Sequence, residues 1–206
     1  MYALVESGTI TKYFNHPKGF TLNDLQYPAD IFMKWSVEEK TAIGIHEVVF
    51  DDSNKKDEQW YINTNQSYAF ANDTVTASYG TATPKAHADT LWTQQDSDDG
   101  DLPSDKSVGD VKVEGLKTTL IKNLKVNVAN ELARTDWYIT RNTEKSTAIP
   151  SAISTHRDLV RSRQASIEAQ ITGAADTPAL ETLHTFTKQE DNTVTRPLGE
   201  LPVLES

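Results

Sequence analysis

The chain has 206 residues, of which 37% are hydrophobic and 24% charged, which suits one ordinary domain or two small ones with a thin core and a broad polar surface. Thirty acidic residues against twenty basic ones leave a net charge of −10, a field that repels a phosphate backbone and argues against nucleic-acid binding. The lack of cysteine excludes disulfide scaffolds, thiolate zinc sites and cysteine nucleophiles.

The opening Met1-Tyr2-Ala3-Leu4-Val5-Glu6 lacks the basic start and long apolar core of a signal peptide. No apolar run approaches the roughly 18 residues of a bilayer span, so folding in a cytoplasm without membrane insertion is expected. Tyr2 to Val5 and Thr9 to Tyr13 read as a small hairpin about Ser7-Gly8, and Asn15 to Phe20 as a loop. Tyr27 precedes Pro28 and is held extended. Ser36 followed by Glu39 makes a capping box, and Gly44 closes the short helix between; Trp35 and Ile43 are its anchors. Ile45 to Phe50 reads as a strand with Val48 and Phe50 on one face. Gln59 to Ala82 reads as one long hairpin turning at Asn72-Asp73. Trp60, Ile62, Thr64, Gln66, Tyr68 and Phe70 share one face, which carries the aromatics and is expected to meet the core.

From Thr83 the composition shifts. Pro84, Pro103, Gly100 and the aspartates 89, 96, 98, 99, 101 and 105 mark residues 83–112 as an acidic connector with a turn near Leu91-Trp92. Leu116, Leu120, Leu124, Val128 and Leu132 then repeat every fourth residue, one face of a helix from Val113 to Ala133. After a break at Thr135-Asp136-Trp137, Pro150 opens a second helix striped by Ile153, Val160, Ile167 and Ile171 and ended by Gly173. Thr177-Pro178 starts a short third helix. The tail from Arg196 to Leu204 is apolar and punctuated by prolines, either a frayed end or a docking strap. The expected organisation is therefore α+β: a β-rich head over 1–82, the connector over 83–112, a helical hairpin region over 113–190 and an extended tail over 191–206.

Motifs of catalysis are missing. The sequence holds no G-x-S-x-G, Walker loop, G-x-G-x-x-G or H-E-x-x-H. Histidines 16, 46, 87, 156 and 184 stand apart from one another, without metal-ligand spacing. The run Asp96-Ser97-Asp98-Asp99-Gly100-Asp101 fails as a calcium loop of the EF-hand type, because glycine falls at the fifth position and Ser107 where the glutamate belongs. No cofactor and no enzymatic activity are expected. Carboxylate pairs formed only in space are invisible to sequence, so a hydrolase ranks behind the binding readings below.

The distinctive cluster is Arg134-Thr135-Asp136-Trp137-Tyr138-Ile139-Thr140-Arg141 together with His156-Arg157-Asp158-Leu159-Val160-Arg161. Arg157 and Arg161 stand four apart on one helix face. Asp136 is placed to accept from one of them, with Trp137 packed across the hairpin end. Asp136, Trp137, Arg141, Arg157 and Arg161 thus form a candidate structural clamp or interaction site. Truncating a buried Trp137 would cost roughly 3–5 kcal/mol.

The order Thr-Asp-Trp, then a proline-opened helix with Arg-x-x-x-Arg, resembles the C-terminal region of tail-fibre assembly and tail-accessory proteins of tailed bacteriophages. The opening Met1 to Glu6, with Gly8, Ile10, Lys12 and Tyr13, is similar to their start. His156 stands where members often carry tyrosine, and the Trp-Pro motif that often closes them is missing. The resemblance implies a non-enzymatic partner of tail or tail-fibre proteins, acting as an assembly chaperone or a minor virion component. It further implies residence in the host cytoplasm during assembly and in the virion tail afterwards. Association with further copies of itself, as a homo-oligomer, stays open. The other reading is a receptor- or glycan-binding module, for which Trp60, Tyr61, Tyr68, Phe70 and Tyr79 supply aromatic rings.

Overall fold

The computed structural model describes residues 1–204. The protein is α+β, and its chain divides into two compact units between Thr83 and Pro84.

The first unit contains β1 (Tyr2–Glu6), β2 (Thr9–Phe14), β3 (Phe20–Leu22), β4 (Leu25–Tyr27), α1 (Ile31–Lys34), α2 (Val37–Ala42), β5 (Ile45–Asp51), β6 (Tyr61–Ile62), β7 (Ser67–Ala71) and β8 (Thr74–Ser78). Its main sheet has five strands in the order β2-β1-β5-β8-β7. Two tight turns generate its hairpins. Ser7 and Gly8 join β1 to β2, and Asn72 and Asp73 join β7 to β8, all four with positive φ, the backbone twist that hairpins of right-twisted strands need. The β5–β8 pair is parallel, with Val48 opposite Val75 and Phe50 opposite Ala77. That register gathers Ala3, Val5, Val48, Val75 and Ala77 on one face, with Met1, Ile10, Tyr68 and Phe70 around them. Tyr13 on one edge strand meets Tyr68 on the other with ring centroids 4.8 Å apart, so the sheet curls about this core of small side chains. Val48 is buried there, whereas Phe50 is half exposed; alternation assigns a face without saying how far the core extends.

The opposite face carries larger residues. Leu4, Phe14 and Ile45 pack with Phe20, Ile31 and Phe32, and Tyr27, Trp35 and Ile43 flank them. Helix α2 begins with the capping box read from sequence: Glu39 N–H donates to Ser36 Oγ at 3.2 Å, and Ser36 N–H to the Glu39 carboxylate at 2.7 Å. Gly44 ends it at φ +80°, where a Cβ would lie 2.4 Å from the Val5 carbonyl oxygen. Only glycine allows that approach, which lets Val5 N–H donate to Gly44 O at 2.8 Å.

The long hairpin expected from Gln59 is interrupted between β6 and β7. Asn63 exchanges two hydrogen bonds with the Lys56 main chain, and Thr64 Oγ1 accepts from Gly80 N–H at 2.7 Å. These polar side chains serve the main chain locally in place of a ladder. Trp60 is buried but Ile62 is exposed.

At the junction lies β9 (Thr83–Pro84), and the second unit then contains β10 (Thr90–Leu91), α3 (Gln94–Asp98), β11 (Val111–Val113), α4 (Leu116–Ala133), α5 (Asp136–Lys145), α6 (Ser151–Gly173), α7 (Thr177–His184), β12 (Thr187–Lys188) and β13 (Val194–Thr195). The stretch read as a connector holds ordered elements: β10 pairs with β11, and Thr93 and Asp96 form a capping box on α3. It is also tied to the helices. Asp89 accepts from Gly115 N–H at 2.7 Å and from Thr118 Oγ1 at 2.8 Å. It thereby caps α4, whose own N-cap, Gly115, has no side chain to do so. Thr177 Oγ1 donates to the Lys85 carbonyl at 2.6 Å.

Helices α4 and α6 form the expected antiparallel seam, with Leu124 and Val128 buried on one and Ile153, Val160, Ile167 and Ile171 on the other. Each such side chain contributes about 1.5–3 kcal/mol of burial. The break at Thr135 does not lead into a plain loop; it starts α5, a further helix that buries none of its side chains. The tail docks on its own unit. Leu198 is buried, and Leu201, Pro202 and Leu204 are partly buried, while Glu205 and Ser206 lie outside the described residues. Among the described residues no helix is long and apolar enough to cross a membrane.

Candidate functional site

The cluster singled out in the sequence sits where α4 gives way to α5. Thr135 leaves the helical conformation, turning its N–H and its Oγ1 back onto the Leu132 carbonyl, each at 3.0 Å. The Leu132 carbonyl, released from the helical ladder at that end, also accepts from Arg157 of α6. The Arg157 Nη1 shares its two N–H groups among Leu132 O at 2.8 Å, Thr135 Oγ1 at 2.7 Å and Asp136 Oδ1 at 2.8 Å. A single amino group thus ties the end of α4 and the start of α5 to α6. The pairing is uneven: the Arg157 side chain is 10% exposed and that of Asp136 59%. The Asp136 ion pair is therefore screened by water, and the buried bonds to Thr135 and Leu132 hold the arginine.

One residue back on α6, buried His156 donates from Nε2 to Glu131 Oε1 at 3.1 Å, and Arg134 pairs with the same carboxylate at 2.9 Å. Burial pushes the Glu131 carboxyl up, but hydrogen bonds from Arg134 and His156 outweigh it and hold it below its ordinary value. Thr135, Glu131 and His156 complete the lock: Thr135 and His156 stand in the sequence cluster with no role that spacing assigns, and Glu131 lies outside it. His156 was read as isolated because spacing along a chain reveals only partners on the same element.

The other expected members lie apart from this lock. Trp137 does not pack across the hairpin end; it is 52% exposed. Its ring leans on Tyr138, centroids 3.8 Å apart, and the Arg141 guanidinium stands 5.7 Å from its centre. Residues 157 and 161 share a helix side by number but not burial: the Arg157 side chain is buried and that of Arg161 is half exposed. Arg161 is exposed and pairs only with Asp158, at 3.3 Å. The cluster therefore separates into a lock built on buried Thr135, His156 and Arg157, with Glu131 and the more exposed Asp136 as their partners, and an exposed platform on α5 of Trp137 and Arg141 with Tyr138 between them.

The surfaces expected to meet partners are largely consumed inside the protein. The α4 and α6 stripes bury each other. In the head Trp60 is buried, and Tyr68 and Phe70 are partly buried against the core. The acidic run at 96–101 forms α3 and its exit, with Asp96 bonded to Lys112. No group of three or more metal-ligating side chains occurs among the described residues.

Comparison with family models, with curated proteins and with solved structures finds no match to this chain.

Proposed function

We propose that this protein works by binding other proteins, as a minor component of a tailed-bacteriophage virion or as an assembly factor for its tail or tail fibres. In this reading it is not an enzyme; it occupies the host cytoplasm during assembly and the tail of the particle afterwards. The two sequence blocks that resemble tail-fibre assembly proteins motivate the phage assignment. The observation that carries protein binding is the platform on α5. Trp137 exposes half its surface on a helix that buries no side chain, flanked by Tyr138 and Arg141. An indole left in water contributes little to the isolated fold, whereas tryptophan, tyrosine and arginine dominate the energetic centres of protein interfaces. The buried Arg157 contacts fix the base of α5, so the platform is presented with little ordering left to do on association.

The test is a pull-down of tail and tail-fibre proteins from particles with the intact chain as bait, beside a Trp137→Ala, Arg141→Ala double variant. Capture by the native chain and loss in the variant, with unchanged melting, supports the reading. Equal capture by both would remove α5 as the contact surface. Mass spectrometry of purified particles separates the two roles: presence in the virion marks a structural component, and absence together with misassembled fibres on deletion marks an assembly factor.

A further inference from the structure

The tail from Arg196 onward is held in a groove of its own unit. Leu198 is buried between α4 and α6 against a cavity of about 560 Å³ lined by Leu120, Leu124, Ile167 and Ile171. Its N–H donates to Leu183 O at 3.0 Å. Arg163 of α6 donates from Nη2 to Leu198 O at 2.6 Å and from Nε to Glu200 O at 3.1 Å. Further along, Pro202, Val203 and Leu204 border Ser151, Thr155 and Leu159, so the strap runs antiparallel to α6. These are the contacts of peptide recognition: a buried leucine anchor, and an arginine that reads main-chain carbonyls.

Two features make this segment separable from the unit that holds it. Every residue from Thr185 to Thr195 is exposed, including the β12–β13 hairpin; that link contributes no core and, opened out over its nine residues from Thr187, reaches about 30 Å. The strap also carries its own ion pair, Arg196 with Glu200 at 2.7 Å, which travels with it unchanged. We infer that the α4–α6 groove is a binding site for the segment Arg196–Leu204 that takes it equally from a second copy of the chain, so that the protein dimerises by exchanging straps. An exchanged strap repeats the contacts that Leu198 and Glu200 make with the groove, and opening the link sacrifices the exposed two-rung hairpin and its Gln189–Thr195 side-chain bond.

The experiment uses full-length chains bearing two different affinity tags. They are concentrated together, warmed to the onset of melting, cooled, and separated by size with light scattering. Mixed-tag dimers are expected, together with their loss in Leu198→Asp chains, whose anchor no longer enters the groove. A fluorescent peptide of residues 195–204 is expected to bind the Leu198→Asp chain at least tenfold tighter than the native one, whose groove is already filled. Arg163→Gln is the second variant should Leu198→Asp fail to fold; it removes the two carbonyl bonds, leaves the apolar floor intact, and is expected to reduce dimer yield. Monomers alone under all conditions, or dimers that persist in both variants, would overturn the proposal.

Discussion

Arg157 Nη1 and Thr135 Oγ1 lie 2.7 Å apart with both groups buried, although 22 residues separate them in the chain. Because the same nitrogen serves Leu132 O and Asp136, its removal takes away the shared donor that ties α6 to the α4–α5 junction and leaves the Thr135–Leu132 bonds to hold the helix end. Arg157→Ala should destabilise the chain by about 3 kcal/mol. Thr135→Val should lose about 2 kcal/mol, since it removes both bonds of the hydroxyl, from Arg157 and to Leu132 O. Asp136→Ala should lose no more than about 1 kcal/mol, since that carboxylate sits mostly in water. Urea denaturation of the three variants checks the order. A larger loss from Asp136→Ala than from Thr135→Val would show that the ion pair, rather than the buried bonds, holds the junction.

What could be read from the residues alone was local. The Ser36–Glu39 capping box, the Asn72-Asp73 turn and the α6 stripe from Ile153 to Ile171 all depend on neighbours within a turn or two, and each is where its spacing places it. What escaped involves partners distant along the chain and groups with no sequence signature. The Leu132 carbonyl that accepts from Arg157 is main chain, available only because the helix ends there. Asp89 reads from the sequence only as part of an acidic connector, yet it caps a helix 26 residues on. The β5–β8 pair is parallel because β8 enters the sheet beside β5 and places β7 at the edge; short apolar runs do not record that order. Burial separates the five residues of the expected clamp: a charge four residues along a helix shares its side but not its depth.

Trp137→Ala should change stability by less than about 0.5 kcal/mol, because half of the ring already faces solvent and its main neighbours are the adjacent Tyr138 and the exposed Arg141. The larger penalty expected for a buried ring does not apply. Thermal melting of this variant beside Arg157→Ala checks the contrast, and a Trp137 penalty approaching that of Arg157 would place the indole in the core after all.

Acid should weaken the segment that precedes α4. Hydrogen bonds from Lys112 and Thr93 hold the Asp96 carboxyl down from 3.8 to about 2, and the Gly115 amide and the Thr118 hydroxyl lower Asp89. A carboxyl depressed in the folded state stabilises that state fully above its unfolded value and stops doing so as pH falls through the folded one. For Asp96 the loss runs from about pH 4 down to about pH 2. Melting temperatures across this window should fall less steeply for Asp96→Asn than for the native chain, and both should be flat between pH 5 and pH 7 so far as these two acids contribute. Identical slopes for native and variant chains would show that neither bond survives in solution.

Two glycines at similar positive φ, Gly44 at +80° and Gly199 at +68°, should respond differently to alanine. Both substitutions place a side chain in a left-handed conformation, at about 1 kcal/mol each. At Gly44 the new Cβ would also meet the Val5 carbonyl oxygen at 2.4 Å, a main-chain atom fixed within β1, and relief requires the strand or the helix end to shift. Gly44→Ala should therefore lose about 2–4 kcal/mol. At Gly199 the obstacle is the tip of Arg163, 1.7 Å from the added carbon. A flexible side chain can swing aside, giving up its bonds to Leu198 O and Glu200 O, so Gly199→Ala should lose about 1–2 kcal/mol and free the strap. Urea denaturation measures the first difference, and faster amide exchange or proteolysis confined to residues after Thr195 measures the second. Equal losses at the two sites would mean that the obstacle at Gly44 yields as readily as an arginine tip.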